Sequence, residues 1–517
     1  MSLRESVTQS SSRINSGVNV SATPAALYNL HTQSSPHNTD KWQSTESRYN
    51  VQRGKFSAVS EYDLKFFQEL LGPHRTVLGE KELEGHNTDW LCTVRGESSV
   101  LLKPKTTEEV STILSYCNQH QLAVCPQGGN TGMVGGSVPV FDEVILSTAL
   151  MNQVESVDTW SGVVTCQAGC VLQTLDQHVA QYGLMIPLDL GAKGSCHIGG
   201  NISTNAGGLR VLRYGSLHGS VLGVEAVLAS GEVVDCLSSL KKDNTGYDLK
   251  HLFIGSEGTL GIVTRVAINC PHRPAAVSVA FLGLQSFEDV LSTYKIVRHQ
   301  LGEILSSCEF MDKSTLDCVE KNLKLTSPIN KYPFYLLLET SGSNGDHDEE
   351  KLNKFLELTF DLGLVKDGTV ATEPSKVANI WRLRERIIEA FKLDGCAYTY
   401  DISLPLPSFY KVVEDLGQTL HPDVLSVTGA GHIGDGNIHF TVTSKEFNQE
   451  IVESIEPAVY EWTSKVNGSI SAEHGLGFLK RNYIHYSKSP SAVKLMKQIK
   501  ALMDPNGILN PYKVLPD

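Results

Sequence analysis

A chain of 517 residues with 41% hydrophobic residues is long enough for two or three domains with sizeable cores. Its formal net charge of -13 argues against nucleic-acid binding, which needs a basic surface, and no run of about 18 apolar residues predicts a transmembrane helix. The 11 cysteines are scattered without a Cys-x-x-Cys pair, which indicates a reducing compartment.

The first 55 residues differ in composition from the rest of the chain. Serine is abundant over residues 1–36, Glu5 is the only acidic residue there, and Arg4 and Arg13 are the basic ones. This composition predicts a mitochondrial transit peptide over residues 1–55, and hence a location in the mitochondrial matrix. A disordered tail is the alternative.

From Phe56 onward the sequence has the pattern of a mixed α/β domain. Residues 100–102 predict a short strand, and Thr106 is placed to cap a helix whose apolar positions recur from Val110 to Cys117. Residues 122–125 then predict the next strand. A strand, a helix and a strand in this order indicate a unit of the mixed α/β class.

Three glycine-rich segments follow. The first, residues 126–136, comes after a predicted strand and holds five glycines. The second runs over residues 190–208, and the third, residues 255–264, enters another strand. Glycine lets the backbone N–H groups approach an anion, because no side chain stands in the way. The spacing matches neither the NAD fingerprint nor a P-loop, so the segments predict contact with another large, phosphate-bearing ligand.

A histidine pattern near the C-terminus predicts a metal site. A glycine-flanked turn over residues 433–436 separates His432 from His439, so both imidazoles are expected to converge across the bend. Glu473 completes a His2Glu set, which in catalytic zinc sites leaves one coordination position open. His474, beside this ligand, is the candidate general base. The plainer alternative is a group of hydrogen-bonded core histidines.

Many of these motifs, taken in order, resemble the FAD-linked D-2-hydroxy-acid dehydrogenases. The segments that carry the resemblance are residues 126–136, 187–190, 204–208, 213–215, 255–264, 431–437, 472–475 and 504–511. The match runs from about residue 56 to the C-terminus, and it is strongest to the mitochondrial members that oxidise D-2-hydroxyglutarate.

The resemblance implies an α+β fold in several parts. A two-lobed FAD-binding domain of the vanillyl-alcohol-oxidase type is expected over residues 56–275, with its core at 94–275. An α/β substrate-cap domain with the metal site is expected over residues 276–500. A C-terminal segment, residues 501–517, is expected to return to the FAD-binding domain.

The resemblance also implies which residues contact the cofactor. They are Pro126, Gln127, Gly128, Gly129, Asn130, Thr131, Gly132, Gly135, Gly136, Pro187, Asp189, Gly191, Gly199, Gly200, Asn201, Thr204, Asn205, Gly207, Gly208, Glu257, Gly258, Gly261, Ile262 and Asn510. Some relatives attach the flavin covalently through a histidine of the first loop. Because this loop offers Asn130 and no histidine, noncovalent FAD is expected.

In the cap, residues 334–339 and 398–404 predict strands and residues 377–391 a helix. By resemblance, Arg384 on that helix holds a substrate carboxylate, for which its planar guanidinium is suited, and Asn437 and His474 also contact the substrate. Without the resemblance, Arg384 is better explained as a surface residue with charge pairs.

The chain departs from its hydroxyglutarate-oxidising relatives around the expected substrate pocket. Ile388 replaces a threonine, Thr399 a lysine, Thr441 an asparagine and Ala430 an aromatic residue. The lost lysine and polar groups are those expected to bind a distal carboxylate. D-lactate or another D-2-hydroxy acid is therefore the alternative to D-2-hydroxyglutarate.

The expected reaction is oxidation of the hydroxy acid to the 2-oxo acid. Zinc on His432, His439 and Glu473 would acidify the hydroxyl, His474 would take its proton, and the hydride would go to FAD. Electron-transferring flavoprotein or a quinone chain is the implied acceptor. Two other hypotheses are a catalytically altered paralogue that serves as a binding module, and a zinc hydrolase, which would give the glycine-rich segments no purpose.

Overall fold

The structure is a computed structural model that describes residues 44–418 and 421–516, so the expected transit peptide or tail lies outside it up to residue 43. Residues 44–55 are folded. Thr45 is buried, and its hydroxyl donates to the Arg95 carbonyl over 2.9 Å. Arg53 forms an ion pair of 2.6 Å with Asp142. The boundary expected at residue 55 is therefore too late.

The first lobe contains a four-stranded sheet. Its elements are α1 (Thr45–Tyr49), α2 (Glu61–Leu71), a 3-10 helix (Pro73–Arg75), β1 (Thr76–Val77), α3 (Glu80–Asn87), β2 (Leu101–Leu102), α4 (Thr107–His120), β3 (Val124–Gln127) and β4 (Val144–Ser147). The strand order is β1-β2-β4-β3, with β1 antiparallel and the others parallel. The Thr106 hydroxyl caps α4 by accepting the Glu109 N–H, which confirms the predicted start of this helix.

The second lobe is built on a five-stranded antiparallel sheet. Its elements are β5 (Val154–Asp158), β6 (Val163–Gln167), α5 (Leu172–Ala180), α6 (Ile198–Ser203), α7 (Val211–Tyr214), α8 (Leu217–Ser220), β7 (Val221–Val227), β8 (Val233–Cys236), α9 (Lys250–Phe253) and β9 (Ile262–Asn269). The strand order is β5-β6-β9-β7-β8. Cys166, Cys170, Cys196 and Cys270 lie in its apolar core, where they act as small hydrophobic residues.

The rest of the chain is organised around a seven-stranded sheet. Its elements are β10 (Ala276–Leu284), α10 (Phe287–Gln300), β11 (Leu305–Asp312), α11 (Lys313–Leu323), β12 (Phe334–Gly342), α12 (Gly345–Asp361), β13 (Val365–Ala371), α13 (Pro374–Glu385), α14 (Ile387–Asp394), β14 (Cys396–Ser403), a 3-10 helix (Leu406–Ser408), α15 (Lys411–Gly417), β15 (Val424–His432), β16 (Asn437–Ser444), α16 (Gln449–Lys465), a 3-10 helix (Arg481–Tyr486) and α17 (Pro490–Met503). The strand order is β13-β10-β12-β11-β15-β16-β14, and all pairs are antiparallel.

The two faces of this sheet are covered differently. Side chains such as Phe310 and Phe440 pack on one face against α10, α12, α15 and α16. On the other face, α11, α13 and α14 pack against β10 and β12, and the same apolar cluster includes Met311 of β11 and Ala430 of β15. The predicted strands at 334–339 and 398–404 are confirmed as β12 and β14. The single helix predicted over 377–391 is wrong, since the chain leaves helical geometry at Arg386 and forms α13 and α14 instead.

The C-terminal residues pack against the first lobe. Ile508 and Leu509 lie in its core, and the Asn510 N–H donates to the Val124 carbonyl over 2.7 Å. The boundary expected between residues 500 and 501 falls inside α17, so the return begins after this helix, at Asp504. In the part of the chain that the structure describes, no helix is long and apolar enough to cross a membrane.

The buried Asp504 carboxylate is expected to be the main stabiliser of this return. It accepts the N–H groups of Ile508 (3.0 Å) and Leu509 (2.8 Å) and pairs with Lys500 over 2.5 Å. Asp504→Ala should lower the free energy of unfolding by about 3–5 kcal/mol, because it leaves a largely buried cation without its partner. Urea unfolding measures this.

A matched control removes an exposed pair of the same i,i+4 spacing. Glu350 pairs with Lys354 on the solvent side of α12. Glu350→Ala should leave the unfolding midpoint nearly unchanged, because exposed ion pairs contribute little. Equal losses in the two variants would contradict the role given to Asp504.

Candidate active site

The predicted zinc ligands come together on the face of the seven-stranded sheet that also carries α11, α13 and α14. His432 ends β15 and pairs in register with Asn437 at the start of β16, and His439 lies two residues further on the same face. Glu473 reaches them from a loop. One ligand atom from each of His432, His439 and Glu473 lies within 4.8 Å of the others, and no other such group occurs among the residues described.

Glu309, which no motif in the sequence indicated, lies next to His432 on the neighbouring strand and supports this cluster. It faces His432 in register from β11, and its side chain is only 1% exposed. Its carboxylate lies 2.8 Å from His432 Nδ1 and accepts the Arg384 Nε–H over 3.0 Å. Burial raises the pKa of Glu309, but the His432 and Arg384 charges outweigh this and lower it. A carboxylate on Nδ1 leaves Nε2 of His432 as the metal-binding nitrogen.

The same carboxylate affects the protonation of His432. Burial alone lowers the pKa of this imidazole, but Glu309 and Glu473 outweigh burial and raise the pKa to about 9. A metal ion at His432 must therefore displace a proton. Glu309 is the one charged residue inside β11, whose other acidic residue, Asp312, ends the strand, and a charge within such an apolar and small sequence is the one signal for it in the sequence.

Asp401 is the second buried carboxylate of the site. It accepts the backbone N–H groups of Ala472, Glu473 and His474 over 2.9–3.2 Å, and so fixes the loop that carries the third ligand. Its Oδ2 lies 3.4 Å from His474 Nδ1. Burial raises the pKa of Asp401, but the His474 and Lys480 charges and these N–H groups hold it well below its usual value. With Nδ1 paired to a carboxylate, Nε2 is the basic nitrogen of His474.

The substrate residues expected from the sequence lie beside the metal cluster. Arg384 stands at the end of α13, with Nε on Glu309 and a buried Nη2 that has no hydrogen-bond partner among the described residues. The Asn437 amide donates to Asp401 over 2.8 Å, while its buried oxygen has no partner in the described chain. Both residues thus retain a polar atom that a ligand can satisfy.

Three of the four positions where the chain departs from its relatives lie on the same face as His439. Thr399 pairs with Thr441 in register, and their hydroxyls lie 3.2 Å apart. Ala430 is in register with His439. Thr399 and Thr441 lie two residues beyond Asp401 and His439 along β14 and β16. The two strand positions just beyond the histidines are therefore polar but uncharged.

The first glycine-rich loop is held by its own side chains. Gln127 donates to the carbonyls of His86 and Ser137 over 2.9 and 2.8 Å. Asn130, at φ +51°, donates to the Gly85 and Thr88 carbonyls and accepts from Ser137. A Cβ at Gly129 would lie 2.0 Å from the Ser195 carbonyl oxygen, so this glycine permits close contact with the second segment. These side chains shape the loop, and its backbone is left to face a ligand.

The second segment offers polar atoms without internal partners. The amide oxygens of Asn201 and Asn205 are buried and accept no hydrogen bond from the residues described. A Cβ on Gly191 or Gly200 would meet open space. In contrast, the Asp189 carboxylate is already occupied by Lys193 (2.9 Å) and Arg210 (3.1 Å). The asparagines and open glycines fit a large polar ligand such as FAD.

Other expected cofactor residues have structural roles. Glu257 accepts the N–H groups of Leu476 and Gly477, both over 2.8 Å, and Asn510 donates to the carbonyls of Gly136 and Glu257. Burial raises the pKa of Glu257. Ile262 and Pro187 are buried, the Thr204 hydroxyl bonds within α6, and glycines 135, 199, 208, 258 and 261 allow close packing. For Thr131, Gly128 and Gly132, the structure shows only half-buried or exposed loop positions.

The glycine-rich segments meet the metal site directly. The Gly208 N–H donates to Glu473 Oε1, and a Cβ at Gly207 would lie 2.9 Å from that oxygen. A Cβ at Gly258 would lie 2.5 Å from Pro126 Cγ, which brings the third segment onto the first. The three segments, the metal loop and the C-terminal residues therefore form one continuous site.

Comparison with known proteins agrees with this arrangement. Residues 98–237 match the model of an FAD binding domain, and residues 273–514 match the C-terminal domain of FAD linked oxidases. The mitochondrial D-2-hydroxyglutarate dehydrogenase of Danio rerio is 60% identical over 462 residues, covering 89% of this chain and 86% of that protein. The chain belongs to the FAD-linked D-2-hydroxy-acid dehydrogenase family. It is an FAD-dependent oxidoreductase.

A second relative and a solved structure complete the comparison. A putative mitochondrial D-lactate dehydrogenase of Schizosaccharomyces pombe is 47% identical and covers 89% of this chain and 91% of that protein. The crystal structure of p-cresol methylhydroxylase is similar with a TM-score of 0.70 at 16% identity, covering 88% of this chain and 96% of that one. This likeness shows the fold, which is the vanillyl-alcohol-oxidase type that the family resemblance implied.

The geometry predicts that Glu309 increases the zinc affinity of the site without binding the metal itself. Glu309→Gln should weaken zinc binding about 10- to 100-fold, because the His432 imidazole loses its carboxylate partner, while FAD content stays unchanged. Competition with a chelating dye measures the zinc affinity of the purified protein.

Glu339→Gln is the matched control. Glu339 is a buried carboxylate of the same sheet, but its partners are Ser306 (2.8 Å) and Trp381 (3.0 Å). This variant should keep the parent zinc affinity. If Glu309→Gln binds zinc as tightly as the parent, the supporting role of Glu309 is wrong.

Proposed function

We propose that the chain oxidises D-2-hydroxyglutarate to 2-oxoglutarate, with FAD as the hydride acceptor and zinc as the Lewis acid. Relatives named for this substrate support the proposal, with 58–60% identity across about nine tenths of the chain. The observation that carries it is the contact between Glu473 of the metal cluster and Gly208 of a flavin segment. A zinc hydrolase would have no use for that contact.

His432, His439 and Glu473 would hold the zinc ion. Two imidazoles and one carboxylate form a ligand set that leaves room for the substrate hydroxyl and its neighbouring carboxylate. Bound zinc supplies the positive charge that makes this hydroxyl more acidic. The structure supports the ligand set through Glu309 and Asp401, which fix two of the elements that carry it.

His474 would act as the general base and Arg384 as the substrate anchor. His474 is oriented by Asp401, and its Nε2 is then free to take the hydroxyl proton. Arg384 offers Nη2 to a carboxylate, and Asn437 offers its amide oxygen to a hydroxyl or N–H group.

The FAD would be held without a covalent bond. The segments around Gly129, Gly200 and Gly258 and the amides of Asn201 and Asn205 supply its contacts. Asn130, which stands where some relatives carry a histidine, is engaged by hydrogen bonds within the loop. Bound FAD supplies a two-electron acceptor for the substrate hydride.

The names of the relatives support the location, and the electron acceptor is proposed from the family resemblance alone. Those with the highest identity are named mitochondrial, which supports a mitochondrial enzyme, and we infer a matrix location. The reduced flavin would pass its electrons to electron-transferring flavoprotein or to a quinone chain.

Replacement of the histidines tests the metal role. His432→Ala or His439→Ala should lower zinc content and turnover together while FAD stays bound, because the flavin segments lie elsewhere in the chain. His474→Gln should slow turnover by about a hundredfold or more but keep its zinc. Metal analysis, flavin absorbance and turnover with a dye acceptor measure the three properties. Zinc loss in His474→Gln would make this residue a ligand.

The uncharged region around Thr399 predicts an effect on substrate choice. D-2-hydroxyglutarate should be oxidised with a high KM, because one missing charged contact costs about 1.5–3 kcal/mol, roughly ten- to a hundredfold. Ile388→Thr with Thr399→Lys should raise kcat/KM for D-2-hydroxyglutarate much more than for D-lactate, which has no distal carboxylate.

A direct comparison of the two substrates decides between the alternatives. If the unchanged enzyme prefers D-lactate or another monocarboxylate tenfold or more, the hydroxyglutarate assignment fails. If no D-2-hydroxy acid is oxidised although FAD and zinc are bound, the chain is better explained as a binding module.

A further inference from the structure

A basic stretch of the chain without acidic residues lies just after the proposed active-site loop. The chain carries a net charge of -13, yet residues 474–503 contain six lysines and arginines and no acidic residue. They form the 3-10 helix Arg481–Tyr486 and helix α17, which enclose a groove of about 650 Å³. Lys488, Lys494 and His485 lie along this groove. We call this surface the basic groove.

Helix α17 presents apolar side chains beside these charges. None of its residues is fully buried, and Leu495 is 56% exposed and Leu502 80% exposed. The two leucines are seven residues apart, two turns along one side of the helix, and Lys494 stands next to the first. Separate apolar anchors among cations suit a protein contact better than the broad apolar stripe of a membrane-bound helix.

The inner side of α17 rests on a flavin-binding segment. Lys500 Nζ donates to the carbonyls of Thr259 and Leu509, both over 2.8 Å, and Thr259 belongs to the third glycine-rich segment. Gly477 lies shortly before the 3-10 helix Arg481–Tyr486, and its N–H donates to Glu257 of the same glycine-rich segment. Hydrogen bonds therefore join the elements of the basic groove to the segment that would hold the cofactor.

We propose that the basic groove is the docking surface for an acidic electron-carrier protein that reoxidises the flavin. The inference rests on the proposed function, in which each hydroxy acid gives two electrons to FAD. The carrier takes these two electrons, and the two protons of the oxidation pass to solvent, so that FAD returns to its oxidised form. The positive charge along the basic groove attracts an acidic partner and steers its approach. The two exposed leucines beside the groove provide the short-range contact.

The test compares a protein acceptor with a small dye on the FAD-loaded enzyme. The probe is purified electron-transferring flavoprotein, and the control acceptor is dichlorophenolindophenol. Lys488→Glu with Lys494→Glu should lower kcat/KM for the flavoprotein about tenfold or more at low salt and remove most of its salt dependence. Leu495→Ser with Leu502→Ser should lower it at all salt concentrations. Dye-linked kcat/KM should not change in either variant.

The matched control reverses two exposed lysines elsewhere. Lys241→Glu with Lys242→Glu makes the same change in net charge in an exposed loop after β8 and should leave flavoprotein kinetics near the parent value. If the two charge-reversal variants lose the same kcat/KM for the flavoprotein, the effect comes from the overall charge of the enzyme, and the proposal is wrong. Unchanged flavoprotein kinetics in the groove variants would also overturn it.

Two further outcomes identify other occupants. If the groove variants lose only sedimentation with anionic phospholipid vesicles, the surface binds membranes and the proposal is wrong. It is also wrong if the parent enzyme reduces a soluble ubiquinone analogue but not the flavoprotein. Absence of dye-linked activity in the parent would instead show that the proposed function fails, and the docking role with it.

Discussion

The buried contact between Glu309 and its two partners is the constraint on which the active site depends. A charged carboxylate inside a sheet is costly unless cations and hydrogen bonds surround it. Here His432 and Arg384 approach it from β15 and α13. The same interaction thus stabilises a buried charge, fixes the nitrogen that a metal can bind and positions the arginine proposed to hold the substrate.

Two more buried carboxylates connect this sheet to the flavin-binding part of the chain. Asp401 holds the backbone of the loop that carries Glu473, and Glu257 holds the next residues of that loop from the third glycine-rich segment. Because backbone N–H groups are the donors, the loop position depends little on the side chains it carries. This arrangement explains how residues from distant parts of the sequence can form one site.

The sequence predicted the residues proposed to bear the chemistry better than those that support them. His432, His439 and Glu473 were identifiable because histidines and a carboxylate stand close to a glycine turn, and they do converge. Glu309 was not, since its role depends on a cross-strand pairing between residues more than a hundred positions apart. Asp401 lies in a strand that the sequence predicted, but the N–H groups that it accepts belong to a loop whose position the strand pattern does not predict.

The remaining differences also have local causes. The helix that the sequence predicted over residues 377–391 breaks at Arg386, where periodicity of apolar residues continues although the backbone does not. Several glycines expected to touch the cofactor also permit close packing, as at Gly199, where a Cβ would lie 2.5 Å from Ala168 Cβ. A glycine pattern alone does not distinguish these two uses, because both require the absence of a side chain.

The central claim is that the metal cluster and the flavin site act as one catalytic centre. The most direct measurement mixes the enzyme anaerobically with D-2-hydroxyglutarate and follows loss of the oxidised flavin band, before and after chelation of zinc under conditions that retain FAD. The account predicts rapid reduction of the flavin with zinc, reduction slower by about a hundredfold or more without it, and recovery when zinc is restored. Equally fast reduction by the zinc-free enzyme would contradict it.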